Sequence, residues 1–214
     1  MAVTRIKICG ITTPADAHVA AVAGVDAIGL VFYPPSPRAV NVDQALEVLA
    51  VLPPFVTVVA LFVDESVANI MQVLERVPID VLQFHGDESA DFCLQFKRPY
   101  IKALRVRPEL DIAAACSEHS SARGILLDSW QLGVPGGTGT TFDWQLTPDN
   151  LPLPVILAGG LDTENVASAI IQTGPAAVDI SGGVESAPGI KNEKKVRDFI
   201  CAVRHADQEL GDIE

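Results

Sequence analysis

Two residues of this sequence have side chains suited to proton transfer at a buried site. Cys9 ends the apolar run RIKIC (5–9), and Asp128 ends the apolar run GILLD (124–128). A thiol whose pKa falls below about 8.5 can act as a base or nucleophile, and a carboxyl group kept protonated by apolar surroundings can act as a general acid. Each also has a plainer interpretation: Cys9 as a small core residue, and Asp128 as a helix cap or ion-pair partner.

Glycine-rich turns follow the last three apolar runs of the sequence. Those singled out as ligand-binding candidates are Gly137, Gly139, Gly159, Gly160, Gly182 and Gly183. Glycine lets backbone N–H groups turn toward an anion, and Ser181 adds a hydroxyl donor beside the last pair. For either pair alone, tight turns are the alternative. Taken together, the turns predict a phosphate cradle built from backbone donors.

Three further polar residues stand near the ends of apolar runs. Arg38 closes the proline-bounded segment FYPPSPR (32–38) and can clamp a carboxylate through a two-pronged contact, or can lie on the surface in solvent. His85 can donate to a substrate or simply close a strand end, and the second interpretation is slightly favoured. Asp179 lies inside the last apolar run, where we expect a hydrogen bond in the protein interior rather than catalysis.

Eight short apolar runs, about 20–30 residues apart, must position these side chains. They are RIKIC (5–9), AIGLVF (27–32), FVTVVALFV (55–63), IDVLQF (79–84), YIKALRV (100–106), GILLD (124–128), LPVILA (153–158) and AAVDIS (176–181). They are nearly continuous in Val, Ile and Leu, which is typical of parallel strands buried on both faces. The spacing leaves room for one crossover helix after each strand.

Helix signals fill most of the intervals. We predict N-caps at Thr13, Ser66 and Thr163, helix stops at Gly24 and Gly174, and further helices over 43–52 and 194–203. The segments 109–118 and 142–150 carry fewer signals, and the second leaves room for only a short helix.

Alternating strands and helices are compatible with an open doubly wound sheet or a closed barrel. The first strand is followed by CGIT rather than by the dinucleotide-binding pattern GxGxxG. Eight repeats without a linker therefore favour a single (β/α)8-barrel domain over residues 1–214. Because the chemistry of such barrels lies where strands end, strands one and six would hold Cys9 and Asp128 on opposite sides of the mouth.

Composition narrows the range of partners. A net charge of −12 repels nucleic acid at long range, so the expected partner is a small molecule held by local donors. No uninterrupted apolar run of 18 residues or signal-peptide pattern is found, and the four cysteines form no CxxC pair. We therefore expect a cytoplasmic protein without membrane association or a metal site, acting as a monomer or weak homodimer.

Several segments together resemble the phosphoribosylanthranilate isomerase family. They are KICGIT (7–12), GLVFYPPSPR (29–38), QFHGDE (83–88), LLDS (126–129), GGTGTTFDW (136–144), LAGGL (157–161) and DISGGVESAPGIK (179–191). The resemblance extends from about Arg5 to Arg204. It departs from the family near the end of strand eight, where Ser-Ser-Gly is common and this chain has Ser181-Gly182-Gly183. A side-chain contact to phosphate is thereby put in doubt, but a backbone contact is not.

The resemblance implies an enzyme of tryptophan biosynthesis that needs no cofactor or metal. Its reaction would be the Amadori rearrangement of N-(5-phosphoribosyl)anthranilate to 1-(2-carboxyphenylamino)-1-deoxyribulose 5-phosphate. By resemblance, Cys9 is the general base, Asp128 the general acid and Arg38 the clamp for the anthranilate carboxylate, while the glycine turns hold phosphate. As a base, Cys9 should have a lowered pKa.

Two other functions remain to be weighed. A related isomerase of histidine biosynthesis performs the same rearrangement on another aminoribose, but such barrels use two aspartates, which Cys9 argues against. A barrel that only binds phosphate ligands should have lost the acid or the base, and both are present.

Overall fold

The computed structural model describes residues 3–107, 109–129, 143–148 and 150–213, with the backbone alone at 145, 212 and 213. Eight parallel strands form a closed barrel in chain order, and β1 pairs with β8 to complete the ring. The strands are β1 (Arg5–Cys9), β2 (Ala27–Val31), β3 (Thr57–Phe62), β4 (Val81–Phe84), β5 (Tyr100–Val106), β6 (Gly124–Ser129), β7 (Val155–Leu157) and β8 (Ala177–Ile180). All eight lie within or at the predicted apolar runs, which confirms the (β/α)8 barrel.

Helices occupy most of the crossovers. They are α1 (Pro14–Ala23), α2 (Val42–Leu49), α3 (Val67–Arg76), α4 (Ala90–Leu94), α5 (Ile112–Glu118), α6 (Val166–Thr173) and α7 (Glu193–Ile213). Thr13 and Ser66 cap α1 and α3 as predicted, each accepting a backbone N–H of the first turn. Among the described residues between β6 and β7 lies a 3-10 helix, Trp144–Leu146.

Four features differ from the sequence predictions. The helix α6 begins after Asn165, not after Thr163, because Asp162 accepts the N–H groups of Glu164 and Asn165 and bends the chain there. The helix α7 continues to Ile213, ten residues past the predicted end. Neither α4 nor the antiparallel hairpin formed by β9 (Glu185–Ala187) and β10 (Ile190–Lys191) was predicted from the sequence.

The strand β1 shows how the barrel divides its side chains. Ile6 and Ile8 are fully buried in the layer between strands and helices, the main hydrophobic core. Lys7 and Cys9 alternate with them and therefore point into the barrel. Cys9 packs there against Val31 and Leu61. The barrel interior is thus apolar around Cys9 but holds a charged side chain, Lys7, one level below it.

Candidate active site

One cavity of about 380 Å³ opens at the carboxyl ends of the strands. Its walls include ten of the residues singled out from the sequence: Cys9, Arg38, His85, Asp128, Gly159, Gly160, Asp179, Ser181, Gly182 and Gly183. The other two, Gly137 and Gly139, lie outside the described residues. The predicted base and acid therefore face a common space, as the barrel topology requires.

Cys9 is the last residue of β1, and its side chain is almost fully buried. Burial raises the pKa of its thiol, and nearby Asp179 raises it further, whereas the ammonium groups of Lys7 and Lys191 act in the opposite direction. The net direction is upward. The expectation of a lowered pKa is therefore wrong for these surroundings, because the apolar packing around Cys9 outweighs the cations.

A buried ion pair lies next to Cys9. Lys7 Nζ is 2.9 Å from each carboxylate oxygen of Asp179. The two residues are opposite each other in the β1–β8 register. Asp179 thus is an interior hydrogen-bonding residue, as predicted, but its partner Lys7 was not singled out. The alternation of RIKIC, in which every second residue faces the barrel, was the signal that could have identified it.

Asp128 is held by two donors. The backbone N–H of Ser129 donates to Oδ1 at 2.9 Å, and His85 Nε2 lies 3.1 Å from Oδ2. The Gln83 amide nitrogen lies 3.2 Å from His85 Nδ1 and can only donate to it. In the tautomer that fits this orientation of the amide, Nε2 carries the hydrogen that is donated to Asp128. His85 contacts the predicted acid, rather than simply closing a strand.

The loop that carries His85 is fixed from below by two cations. Arg105 Nη2 donates to the His85 carbonyl at 2.9 Å. Lys102 Nζ donates to the Gly86 carbonyl at 2.6 Å and to Glu88 Oε2 at 2.8 Å. These contacts restrain the backbone at the histidine and at the residue that follows it, which keeps the imidazole ring directed at Asp128.

Arg38 is directed into the cavity rather than into solvent. Its Nε and Nη2 each donate to one carboxylate oxygen of Glu185 at 2.8 Å. No bond to Nη1 is found within the described part of the chain, so that nitrogen remains available to a ligand in the cavity. The hydrogen bonds to Glu185, together with its negative charge, raise the pKa of this guanidinium against the opposing effect of burial.

Lys191 lies behind the same carboxylate. Its Nζ is fully buried, 2.7 Å from Glu185 Oε1, and it also donates to the carbonyl of Ser181 at 3.2 Å. Two cations thus share one carboxylate, which leaves a net positive charge beside Ser181. Neither Glu185 nor Lys191 was singled out from the sequence, because both belong to the unpredicted hairpin. The run DISGGVESAPGIK contains both residues but does not show their contacts.

The glycine turns bring backbone close to the cavity. Gly159 and Gly160 have φ angles of 77° and 65°, which favour glycine over other residues. A methyl group at Gly159 would come within 2.9 Å of Asp128 Oδ1. A methyl group added at Gly183 would overlap the carbonyl oxygen of Leu161 and crowd Asp162 Cα, so the loop that follows β7 leaves no room for a side chain there. The two turns therefore form one continuous wall.

The opposite wall is apolar and comes from the β2 and β3 ends. It is lined by Tyr33, Val31, Leu61 and Val63, which pack against Cys9.

In the described part of the chain, no three or more His, Cys, Asp or Glu side chains are grouped so as to hold a metal ion. Among the same residues, no helix combines the length and apolarity needed to span a membrane.

Comparison with known proteins agrees with this geometry. The family described as N-(5'phosphoribosyl)anthranilate (PRA) isomerase matches residues 6–202. The N-(5'-phosphoribosyl)anthranilate isomerase of Azotobacter vinelandii is 60% identical over 96% of this chain and 100% of its own length. That of Pseudomonas fluorescens SBW25 is 58% identical over 96% of this chain and 98% of its own length.

Solved structures give the same result. The phosphoribosyl anthranilate isomerase of Thermotoga maritima superposes with a TM-score of 0.86 at 38% identity, covering 94% of this chain and 99% of that one. A complex of such an isomerase with reduced 1-(o-carboxyphenylamino)-1-deoxyribulose 5-phosphate has a TM-score of 0.83 at 36% identity, with the same coverage. This chain belongs to the N-(5'-phosphoribosyl)anthranilate isomerase family.

Proposed function

We propose that this chain converts N-(5'-phosphoribosyl)anthranilate to 1-(o-carboxyphenylamino)-1-deoxyribulose 5-phosphate in tryptophan biosynthesis, with Cys9 as base and Asp128 as acid. The observation that carries the proposal is that both side chains face one cavity of about 380 Å³, which is also lined by Arg38 and by the glycine-rich turns. A substrate with a carboxylate at one end and a phosphate at the other needs both kinds of donor.

Asp128 begins the reaction in this proposal. Protonated, it gives its proton to the furanose ring oxygen as the C1'–O4' bond breaks, while the aniline nitrogen supplies electrons and forms a protonated imine. Nε2–H of His85 holds the Oδ2 side of the carboxyl group, and the Ser129 N–H holds Oδ1. These contacts fix the direction of the acid, and a positioned acid of this kind accounts for ~10²–10⁴-fold in rate.

Cys9 completes the rearrangement. The imine charge acidifies the hydrogen on C2', which the thiolate removes, and the resulting enolamine tautomerises to the ketone. Because burial raises the pKa of the thiol, the substrate's developing positive charge and the cations around the cavity must together favour the ionised form. The apolar wall beside Cys9 excludes water from the carbanion-like intermediate.

The two ends of the substrate are bound by different groups of donors. Arg38 Nη1, left over by the Glu185 contacts, binds the anthranilate carboxylate, and Tyr33 and Leu61 flank the ring. The turns that contain Gly159, Gly160, Gly182 and Gly183 supply backbone donors to the phosphate, with Lys191 close behind Ser181. Holding both ends fixes the reacting carbons between acid and base. We extend the phosphate role to Gly137 and Gly139 by resemblance alone.

We also propose that residues 1–214 form one domain, since the β1–β8 pairing joins the two ends of the barrel. Three of the four thiols are buried and none is paired with another cysteine, which suits a reducing compartment such as the cytoplasm. The enzyme acts on a small molecule, without nucleic acid or membrane partners, as a monomer or weak homodimer.

A fluorescence assay tests the function directly by following the loss of phosphoribosylanthranilate on adding the pure protein. Cys9→Ala and Asp128→Ala should each lose at least ~100-fold in turnover while keeping the wild-type circular dichroism spectrum. Cys201→Ala is the matched control, because this exposed thiol lies on α7 away from the cavity and its loss should leave turnover unchanged. Wild-type turnover in Cys9→Ala or in Asp128→Ala would remove that residue from the mechanism.

A further inference from the structure

We propose that Lys7, held by Asp179, is a positioning residue that stabilises the thiolate of Cys9. The inference rests on the proposed function, in which Cys9 is the base. It adds a residue that acts on the base rather than on the substrate, since Lys7 is not among the side chains that line the cavity.

The geometry places the ammonium group beside the thiol. Lys7 and Cys9 are two residues apart on β1, so both side chains point into the barrel. Gly29, opposite Cys9 on β2, has no side chain to separate them. A methyl group built at Gly29 would lie 2.7 Å from Cys9 Sγ and 3.1 Å from Lys7 Nζ. The thiol and the ammonium therefore converge on the space that this glycine leaves open.

The burial of the pair indicates a function other than stability. Lys7 and Asp179 are 4% and 8% exposed, whereas the strands β5 to β7, with the residue that follows β7, contribute an apolar cluster of Ala103, Leu126, Ile156 and Ala158. Removing two charges from water costs several kcal/mol per ion, and well-packed apolar residues in their place are often neutral or stabilising. A buried ion pair at this level of the barrel is thus poorly explained by a gain in stability and well explained by an effect on the thiol of Cys9.

The charges around Cys9 then have defined signs. Burial raises the pKa of the thiol, Lys7 is the strongest opposing influence, Asp179 raises the pKa and Lys191 lowers it. Arg38, His85 and Asp128 face the same cavity from the other elements.

Lys7 must itself be charged to act in this way. Burial lowers its pKa, but Asp179 and the Cys9 thiolate raise it more, so the net direction is upward. Burial also raises the pKa of Asp179, against the opposing effect of Lys7. Because both Asp179 oxygens are 2.9 Å from Nζ, we take the pair as ionised.

The test measures the ionisation of Cys9 without relying on turnover. The rate of alkylation by iodoacetamide is followed against pH by mass spectrometry of the peptide that contains Cys9. In Lys7→Met the pH at which the alkylation rate reaches half its maximum, the Cys9 midpoint, should rise by at least about one pH unit. In Lys7→Arg this midpoint should return toward the wild-type value. In Asp179→Asn it should fall, because the negative charge that opposes the thiolate is gone while the cation remains.

The opposite signs separate an electrostatic effect from damage to the fold, since both Lys7→Met and Asp179→Asn break the same buried pair. Arg204→Met is the control: it breaks a partly buried ion pair, with Asp26, outside the cavity and should leave the Cys9 midpoint unchanged. An unchanged midpoint in Lys7→Met, or shifts of the same sign in Lys7→Met and Asp179→Asn, would overturn the proposal.

If Lys7→Met does not fold, Asp179→Asn and Lys7→Arg decide: a midpoint in Asp179→Asn that is unchanged or raised contradicts the inference. The proposed function fails separately. Full turnover in Cys9→Ala would show that Cys9 is not the base, whatever its midpoint in the Lys7 variants.

Discussion

Two parallel hydrogen bonds join Arg38 to Glu185, from Nε to Oε1 and from Nη2 to Oε2, each 2.8 Å long. This two-pronged contact leaves three N–H groups of the planar guanidinium, two on Nη1 and one on Nη2, to bind a ligand. It also connects the loop after β2 with the strand β9, which follows the Ser181 turn. The clamp for one end of the substrate is therefore oriented by the segment proposed to hold the other end.

The first prediction concerns Glu185→Gln. An uncharged amide cannot accept both hydrogen bonds from Arg38, and a hydrogen bond to a charged group is worth ~1.5–3 kcal/mol. We expect KM for phosphoribosylanthranilate to rise by about tenfold or more, with a smaller change in kcat. The free energy of unfolding should also fall by ~3 kcal/mol, because the buried Lys191 loses its charged partner.

Steady-state kinetics and urea unfolding measure these two effects. Glu193→Gln is the control, since it removes a carboxylate from an exposed pair with Arg197 on α7 and should alter neither quantity appreciably. A Glu185→Gln variant with wild-type KM would show that Arg38 does not need this contact to bind substrate.

The second prediction concerns the pair formed by Asp128 and His85. If Nε2–H serves to hold the acid, its effect depends on the acid being present. Asp128→Asn should lower kcat/KM by ~10²–10⁴-fold, and His85→Leu by a smaller factor, about tenfold. The double variant should be no slower than Asp128→Asn alone, because residues that act as a unit are not additive.

Steady-state kinetics on the three variants completes the double-mutant cycle, with circular dichroism to confirm the fold. Independent, multiplicative losses in the double variant would mean that His85 acts on the substrate and not through Asp128.

The third prediction compares two glycines with left-handed backbone. Gly159 has φ 77° and lies against Asp128, whereas Gly24 has φ 92° and no atom within 4 Å of an added methyl group. Gly24→Ala should cost only the backbone strain, ~1–2 kcal/mol, and leave kcat unchanged. Gly159→Ala should cost more and lower kcat at least tenfold, since the methyl group would lie 2.9 Å from Asp128 Oδ1.

Thermal unfolding and kcat on both variants give the comparison. Equal losses of stability together with wild-type kcat in Gly159→Ala would show that the close approach to Asp128 does not matter for turnover.

The sequence predicted the barrel because its strands are buried on both faces. Continuous runs such as YIKALRV and RIKIC leave little ambiguity about strand position, and the structure has both with the predicted bounds. Helix starts were predicted where a capping hydroxyl stood alone, as at Ser66. The prediction failed at Thr163, because Asp162 accepts the N–H groups of Glu164 and Asn165 while Asn165 accepts the N–H of Asp162, and these bonds shift the start of α6.

The site was predictable only in part, for a related reason. A barrel brings strand ends together, so the ordinal position of Cys9 and Asp128 was enough to place them at one cavity. The contacts that support them join residues far apart in the chain: Lys7 and Asp179 are 172 residues apart, and Arg38 and Glu185 are 147 apart. Neither pairing has a local pattern, and both depend on strand register or on a hairpin that sequence periodicity did not indicate.

The last prediction concerns His119, whose side chain is buried in edge contact with Tyr100. Burial lowers the pKa of this imidazole below its ordinary value of 6.5, and the neighbouring Lys102 lowers it further. Near and below pH 6.5 the unfolded chain therefore takes up a proton that the folded protein does not. The free energy of unfolding should have its full value above about pH 6.5. It should decrease as the pH falls toward the folded-state pKa of His119, by at most ~1.4 kcal/mol per pH unit.

Urea unfolding between about pH 5 and pH 8 measures this slope in the wild type and in His119→Leu, so that carboxylates, which titrate in both, cancel in the difference. The wild type should lose stability relative to His119→Leu as the pH falls. His18→Leu is the matched control, because His18 is exposed on α1 and its replacement should reproduce the wild-type profile. A constant difference between the wild type and His119→Leu across this range would show that His119 binds its proton equally well in the folded and unfolded chains.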